Sequence, residues 1–225
     1  MRSISPEWVA NREKMLVKLE EIKQEVLSMP VVGRSLAVPS RQSILDYVAS
    51  RKYLHLGCGP QIIPGFINAD KYVEHPDIQN FDMYNPPYEA DSINMIYSSH
   101  ALEHLPFRLA ILAIKNWGKI LKPGGELYLA IPDLEEIMLI MLDPKVSKHV
   151  KWNWYVYTLF GYQVDPDKYS NTMELDLPIE PGQFHTCGFT KEIIEHFLVD
   201  AGFTIGEMYN YDGWSTPSIW IEAVK

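Results

Sequence analysis

Residues 54–60 read LHLGCGP, and this glycine-rich stretch decides the predicted fold. It closes a short apolar run that is typical of a buried strand. Gly57 and Gly59 allow a tight turn in which backbone N–H groups approach a ligand closely. A dinucleotide fingerprint would need a third glycine where Ile62 stands, and a phosphate-binding P-loop would need a Lys-Ser/Thr pair after the glycines. The stretch therefore favours a turn for a nucleoside-like ligand without a pyrophosphate.

Short apolar runs with little alternation continue downstream, at residues 66–69, 78–81, 93–97 and 126–131. Such runs are typical of strands buried on both faces of a parallel sheet. A helix is predicted over residues 105–121, ending at Lys-Pro-Gly-Gly. Only about eight residues separate the first two strands, fewer than a crossover helix needs, so Pro60 and Pro64 predict a turn instead. The pattern predicts an α/β fold.

The two ends of the chain and one internal segment surround this core. Residues 1–50 are predicted to form an N-terminal helical cap, and residues 51–225 the main domain. Residues 133–188 interrupt the α/β pattern and are predicted to be a helical and loop insertion. A helix over 191–201 and a hairpin of strands 203–211 and 218–224 complete the domain.

Composition excludes several classes of function. Lys and Arg number 20 against 29 Asp and Glu, a formal net charge of −9, and no basic stripe appears, so nucleic acid is not an expected partner. No apolar run is long enough to span a bilayer and no secretory signal pattern is present, so we expect a cytoplasmic monomer or homodimer. The two cysteines, Cys58 and Cys187, read as reduced thiols.

Two carboxylates follow successive predicted strands beside the glycine turn. Asp70 closes the second strand and Asp82 the third, where the sheet's crevice places groups that bind ribose hydroxyls. The sequence here resembles the class I S-adenosylmethionine-dependent methyltransferases of the type 11 kind, within them a poorly characterised bacterial subgroup. The resembling segments stand in order: LHLGCGP at 54–60, FINADK at 66–71, FDMYNPPYEADSINMIYSSHALEHL at 81–105, LKPGGELYLAIPD at 121–133 and HTCGFTKEIIEHFLVDAGF at 185–203.

The resemblance implies a Rossmann-like α/β/α sandwich whose mainly parallel seven-stranded sheet has an antiparallel last strand. It implies S-adenosyl-L-methionine as cofactor. Implied cofactor contacts are Gly57, Cys58, Gly59 and Pro60 in the glycine turn, Asp70 and Lys71 for the ribose, Asp82 and Met83 for the adenine, and Ser98, Ser99 and His100 near the sulfonium.

Histidines are the candidate bases for methyl transfer, because a neutral imidazole accepts a proton near neutral pH. His104, His185 and His100 are the candidate catalytic residues. His100-Ala-Leu-Glu103-His104 also matches an inverted zinc-protease signature, which leaves a zinc hydrolase as a remote alternative. Pro106 argues against it, because proline disfavours the helical turn that would aim both histidines at one metal, and we expect no metal.

The predicted function is methyl transfer to an oxygen or nitrogen of a small molecule, with a sugar or glycan precursor as one candidate acceptor. Aromatic residues at 152–162 either line the acceptor pocket or form a packed core. Residues 163–180 carry a net charge of −4, which disfavours a strongly anionic acceptor. A non-catalytic S-adenosylmethionine-binding or scaffold protein of the same fold is the main alternative.

Overall fold

The computed structural model describes residues 51–163, 176–178, 180–211 and 217–225. The predicted N-terminal cap and residues 164–175 of the acidic segment lie outside the described residues, so those two predictions stay predictions.

Seven strands form one sheet in the order β3-β2-β1-β4-β5-β7-β6. Strands β1 to β5 run parallel to one another, and β7 runs antiparallel to both of its neighbours, β5 and β6. The strands are β1 Tyr53–Leu56, β2 Ile67–Ala69, β3 Ile78–Gln79, β4 Ile93–Ser99, β5 Leu121–Pro132, β6 Thr204–Tyr211 and β7 Ser218–Val224. This topology confirms the predicted Rossmann-like sheet and its closing hairpin.

The connection between β1 and β2 contains no helix. Residues 57–66 form turns, and Leu56 pairs with Ala69 in a parallel register. Gly57 has φ +65°, and a Cβ there would collide with the Cβ of Ala101. The turn therefore needs glycine for its backbone conformation and for the close approach of the chain after β4. The shortened first crossover is confirmed.

Five helices are described: α1 Phe107–Ile120, α2 Leu134–Leu142, α3 Lys148–Val150, α4 Val156–Phe160 and α5 Lys191–Asp200. A π-helical turn, Lys151–Tyr155, joins α3 to α4. Helix α1 begins after Pro106, which occupies the N-cap position and accounts for the later start than the predicted residue 105. Asp133 caps α2 by accepting from the amides of Glu135 and Glu136. None of the described helices combines the length and apolar character that a membrane crossing requires.

Buried side chains form two clusters, as expected for strands whose successive residues point to opposite faces. The larger cluster holds Leu54 and Leu56 together with Trp117 of α1 and Leu198 of α5, so both helices pack on one face. The smaller cluster is rich in aromatic residues and includes Phe66, Tyr97 and Trp220. His55 is buried beside it, stacks on Tyr97, and shares a hydrogen bond with Asn68.

Candidate functional site

A cavity of about 650 Å³ opens at the carboxyl ends of β1, β2 and β4. Its wall includes Gly57 and Gly59 after β1, Asp70 after β2 and His100 after β4. Parallel strands place their carboxyl ends at one edge of the sheet, which is where open α/β sheets bind ligands. The volume lies within the range of small-molecule and cofactor pockets. We call this space the large cavity.

Asp70 organises the glycine turn through its carboxylate. Oδ2 accepts from the amide of Gly59 at 2.9 Å, and Oδ1 accepts from Tyr72 at 2.8 Å and from Val73 at 3.2 Å. Each carboxylate oxygen can accept more than one hydrogen bond, so the group can still receive a ligand hydroxyl. A side chain built at Gly59 would meet no atom within 4 Å, so glycine there leaves the cavity side open. Asp70 therefore connects the segment after β2 to the glycine turn after β1 by a hydrogen bond.

The opposite wall is the segment from Asp82 to Tyr84. Lys71 Nζ lies 2.7 Å from Asp82 Oδ1, and the Tyr84 hydroxyl donates to Asp82 Oδ2 at 3.3 Å. Trp117 of α1 donates its indole N–H to the carbonyl oxygen of Met83 at 2.8 Å. A fully buried tryptophan thus fixes this wall to the core. Pro60, Lys71, Asp82 and Met83 all line the large cavity.

Three of the predicted cofactor contacts do not line the cavity. Ser98 is fully buried and donates to the carbonyl oxygen of Leu56, because these two residues pair across β1 and β4. Ser99 interacts instead with the Tyr97 hydroxyl. Cys58 is buried with its thiol toward the Gly59 carbonyl, and burial raises the pKa of this thiol to about 12. We therefore leave these three residues out of the proposed cofactor contacts.

The segment after β4 forms a compact turn. His100 has φ +49°, and Leu102–His104 is a single 3-10 turn rather than an α-helical one. The later chain closes on it: Thr186 and Cys187 donate backbone N–H groups to the carbonyl oxygen of Glu103 at 2.8 and 3.2 Å. These bonds bring His185 beside His104, with ring centroids 4.8 Å apart. The three candidate catalytic histidines therefore surround one residue, Glu103.

Glu103 appears in the sequence analysis only within the zinc-protease signature and is not among the predicted site residues. Its side chain is 1% exposed, and neither carboxylate oxygen accepts a hydrogen bond in the part of the chain that the structure describes. His100 Nδ1 lies 3.5 Å and His185 Nε2 4.0 Å from Oε1, distances of ion pairs. Burial raises the pKa of Glu103, but His100, His104 and His185 outweigh that effect and lower it to about 2. The carboxylate is therefore ionised at neutral pH.

Both late histidines have a defined orientation. His104 Nδ1 lies 3.0 Å from the carbonyl oxygen of Phe184, and His185 Nδ1 lies 2.7 Å from that of Thr158. A carbonyl only accepts, so each Nδ1 carries the proton and each Nε2 is the free acceptor of a neutral ring. Burial, the largest effect, lowers the pKa of His185 despite the Glu103 charge, which favours the neutral ring.

A second, smaller cavity of about 220 Å³ adjoins this cluster. His185 lines it together with Leu134 and Ile137 of α2 and Thr158 and Phe160 of α4. Phe160 and Trp152 of the aromatic segment are mostly exposed, whereas Tyr157 stacks on Tyr162. Cys187 also lines this cavity, and burial raises the pKa of its thiol to about 12, so it stays protonated. His104 and His100 line the large cavity instead.

The large cavity fits the cofactor that the resemblance implies. S-adenosylmethionine has a nucleoside with vicinal hydroxyls and no phosphate, and the wall offers two carboxylates, Asp70 and Asp82, with an open glycine turn between strands. The turn lacks the Lys-Ser/Thr pair of a P-loop, and Lys71 on the cavity wall is paired with Asp82. The residues present therefore suit a nucleoside rather than a nucleotide.

Comparisons with known proteins find a family model and solved structures that are similar to this chain. Residues 43–129 match the family model described as a methyltransferase domain. A solved S-adenosylmethionine-dependent methyltransferase of Methanosarcina mazei superimposes with a TM-score of 0.53 at 16% identity, over 84% of this chain and 99% of that chain. One from Mesorhizobium loti gives a TM-score of 0.46 at 12% identity, over 77% and 90%. No curated protein matches the sequence significantly.

The ordered sheet, the family match and the shared fold lead to one conclusion. Residues 43–129 match the methyltransferase-domain family of the type 11 kind, the sheet has the Rossmann-like class I fold, and the family match implies S-adenosyl-L-methionine as the cofactor.

Proposed function

We propose that this protein transfers a methyl group from S-adenosylmethionine to an oxygen or nitrogen atom of a small molecule. The observation that carries the proposal is the placement of His104 on the wall of the large cavity, beside His185 on the wall of the small one. An acceptor in the small cavity would then meet the cofactor at the histidine cluster. The cofactor supplies a methyl group activated by a sulfonium.

The walls of the large cavity suggest how the cofactor lies. The turn at Gly57 and Gly59 would receive its methionine part, Asp70 the ribose hydroxyls, and Asp82 with Met83 the adenine. Asp70 is held by three backbone amides, so its carboxylate is already oriented before the ligand arrives. Such pre-organisation reduces the entropic cost of binding. Alignment and exclusion of water contribute most to an in-line displacement.

A proton must leave the acceptor when a hydroxyl or amine is methylated. The imidazoles around Glu103 are the groups placed to accept it, because His104 and His100 line the large cavity and His185 the small one. Burial lowers the pKa of His185 and so keeps that ring neutral, which is the state that can accept a proton.

The residues that line the small cavity support one class of acceptor. Its wall combines the apolar side chains of Leu134, Ile137 and Leu159 with the hydroxyl-bearing residues Thr158 and Thr186. Such a wall suits a neutral molecule with an apolar face and a few hydroxyl groups. A sugar or glycan precursor has this chemistry and is our first candidate acceptor.

The experiment begins with calorimetric titration of tag-free protein with S-adenosylhomocysteine, the demethylated product. Transfer from methyl-tritiated S-adenosylmethionine is then measured across monosaccharides, nucleotide sugars and small amines. We expect product binding and transfer to at least one acceptor, with His104→Gln lowering turnover about 10²- to 10⁴-fold. His75→Gln is the control. His75 is an exposed histidine in a loop, so its substitution should leave turnover unchanged.

Two results would overturn the proposal. Folded protein that does not bind S-adenosylhomocysteine would remove the cofactor assignment. Binding without transfer to any acceptor of the panel would favour the non-catalytic binding protein instead.

A further inference from the structure

The carboxylate of Glu103 is buried among three imidazoles, of which His100 comes nearest, with Nδ1 3.5 Å from Oε1. Both of its oxygens are buried and accept no hydrogen bond from any residue that the structure describes. His185 Nε2 lies 4.0 Å from Oε1, and the other nitrogen of that ring is engaged by the Thr158 carbonyl. When the His185 ring is neutral, its Nε2 and the Oε1 of Glu103 are both hydrogen-bond acceptors that face each other. A cation between them would stabilise this arrangement.

His104 completes the cluster. One ligand atom from each of Glu103, His104 and His185 lies within 4.8 Å of the other two. The Nδ1 of His104 also lies against a backbone carbonyl, that of Phe184. The Nε2 of His104 is therefore the nitrogen that remains as an acceptor. Metal-binding histidines commonly donate their second nitrogen to such a carbonyl, because this fixes the ring and its tautomer. The same support is present behind both rings.

We propose that Glu103, His104 and His185 bind one divalent transition-metal ion. Two imidazoles and one carboxylate form a donor set typical of zinc and of iron, cobalt and manganese, whereas magnesium prefers oxygen ligands alone. The three ligands leave at least one coordination position for water or another molecule.

The location of the site indicates what would take that position. His104 lines the large cavity and His185 the small one, so the ion would lie at the boundary between them. If the proposed methyl transfer is correct, an acceptor oxygen is the ligand that fits the open position, and the metal would hold it toward the methyl group. His100 would then remain as an imidazole on the cavity wall outside the ligand set.

This site differs from the zinc-protease arrangement that the local motif suggests. That arrangement needs both His100 and His104 on one α-helical turn, but Leu102–His104 is a 3-10 turn. The third ligand is His185 instead, which reaches the cluster because Thr186 and Cys187 bond to the carbonyl oxygen of Glu103. A long-range contact therefore creates a donor set that neighbouring positions alone do not.

The experiment titrates Co²⁺ into tag-free, chelator-treated protein and follows the visible d–d absorption, with Zn²⁺ and Mg²⁺ as competitors. We expect one equivalent of Co²⁺ per chain, displacement by Zn²⁺ and no displacement by equimolar Mg²⁺. No thiolate charge-transfer band should appear, because the ligand set of Glu103, His104 and His185 contains no cysteine. Glu103→Gln, His104→Gln and His185→Gln should each weaken Co²⁺ binding more than about 10-fold, the least that even an outer-shell loss produces.

His75→Gln and His196→Gln are the controls, since neither histidine belongs to the cluster. Wild-type protein that binds less than half an equivalent of Co²⁺ would overturn the metal site without needing any variant. A folded His185→Gln with wild-type affinity would overturn its ligand set, and equal competition by Mg²⁺ would overturn the imidazole assignment. S-adenosylhomocysteine titration of the same metal-free sample separates the two proposals: product binding without Co²⁺ binding removes only the metal site, and the converse removes only the proposed function.

Discussion

Replacing Asp70 with asparagine tests the cofactor wall most directly. The three backbone amides bonded to Asp70 approach two different oxygens, at distances of 2.8–3.2 Å. Asparagine keeps one oxygen and places an amide group where the other stood, so at least one of these N–H groups would face another donor. The substitution also removes the charge that would strengthen hydrogen bonds from the ribose hydroxyls.

The magnitude follows from the lost charge-assisted hydrogen bond. Such a bond contributes about 1.5–3 kcal/mol, which corresponds to an increase in Kd of about 10- to 150-fold. Asp70 is only half-buried, so the lower end of this range is expected. The assay is calorimetric titration with S-adenosylhomocysteine, after thermal unfolding has shown that the variant folds.

Asp77→Asn is the matched control. Asp77 lies in the same part of the sequence and carries the same charge as Asp70. However, its side chain is 74% exposed, and it does not line the large cavity. The affinity of Asp77→Asn for S-adenosylhomocysteine should equal that of the wild type. A folded Asp70→Asn whose Kd for S-adenosylhomocysteine lay within about twofold of the wild-type Kd would show that Asp70 does not bind the ribose hydroxyls, whatever the control showed.

Three further substitutions test the scaffold and its pH dependence. Trp117→Phe removes the donor to the Met83 carbonyl, so unfolding in urea should show a loss of about 1–3 kcal/mol, and an unchanged stability would contradict this role. Gly118→Ala places a Cβ 2.8 Å from the Ala201 carbonyl oxygen, so α1 must shift from its neighbour at a cost of about 1–3 kcal/mol, and a stabilised variant would exclude that contact. Burial lowers the pKa of His55 to about 4, below its unfolded value near 6.5; the unfolded chain therefore binds the proton first, and stability falls as pH drops below 6.5. Between pH 7 and 5 this loss amounts to about 2 kcal/mol and should be absent from His55→Gln, so equal pH dependence of the two proteins in urea unfolding would reject it.

Local signals predicted the framework of the fold. The apolar runs before Gly57 and Asp70 are strands β1 and β2, and Pro60 and Pro64 do lie in a crossover without a helix. These features follow from residues within a few positions of one another, since strand propensity and turn chemistry act locally. Helix α1 begins at Phe107, later than the predicted residue 105, because Pro106 occupies the N-cap position.

The site depended on contacts that no local pattern contains. Ser98 belongs to a segment that resembles a cofactor-binding stretch, but the β1–β4 register pairs it with Leu56 and directs its hydroxyl to that carbonyl. Glu103 looks like part of a local motif, yet its environment is completed by His185 from a distant segment. Register and long-range packing are cooperative properties of the whole chain, so these two side chains could not be placed from the sequence.

The turn between β1 and β2 also determines the electrostatic character of the large cavity. A crossover helix in this position would direct its N-terminus, with a partial positive charge, toward the ligand. Residues 57–66 form only turns, so single backbone amides stand where the positive end of a helix would be. The amide of Gly59 is already bonded to Asp70. This turn therefore supplies no helix-terminal field that would attract phosphate, and it should discriminate against nucleotides through missing attraction rather than through steric exclusion.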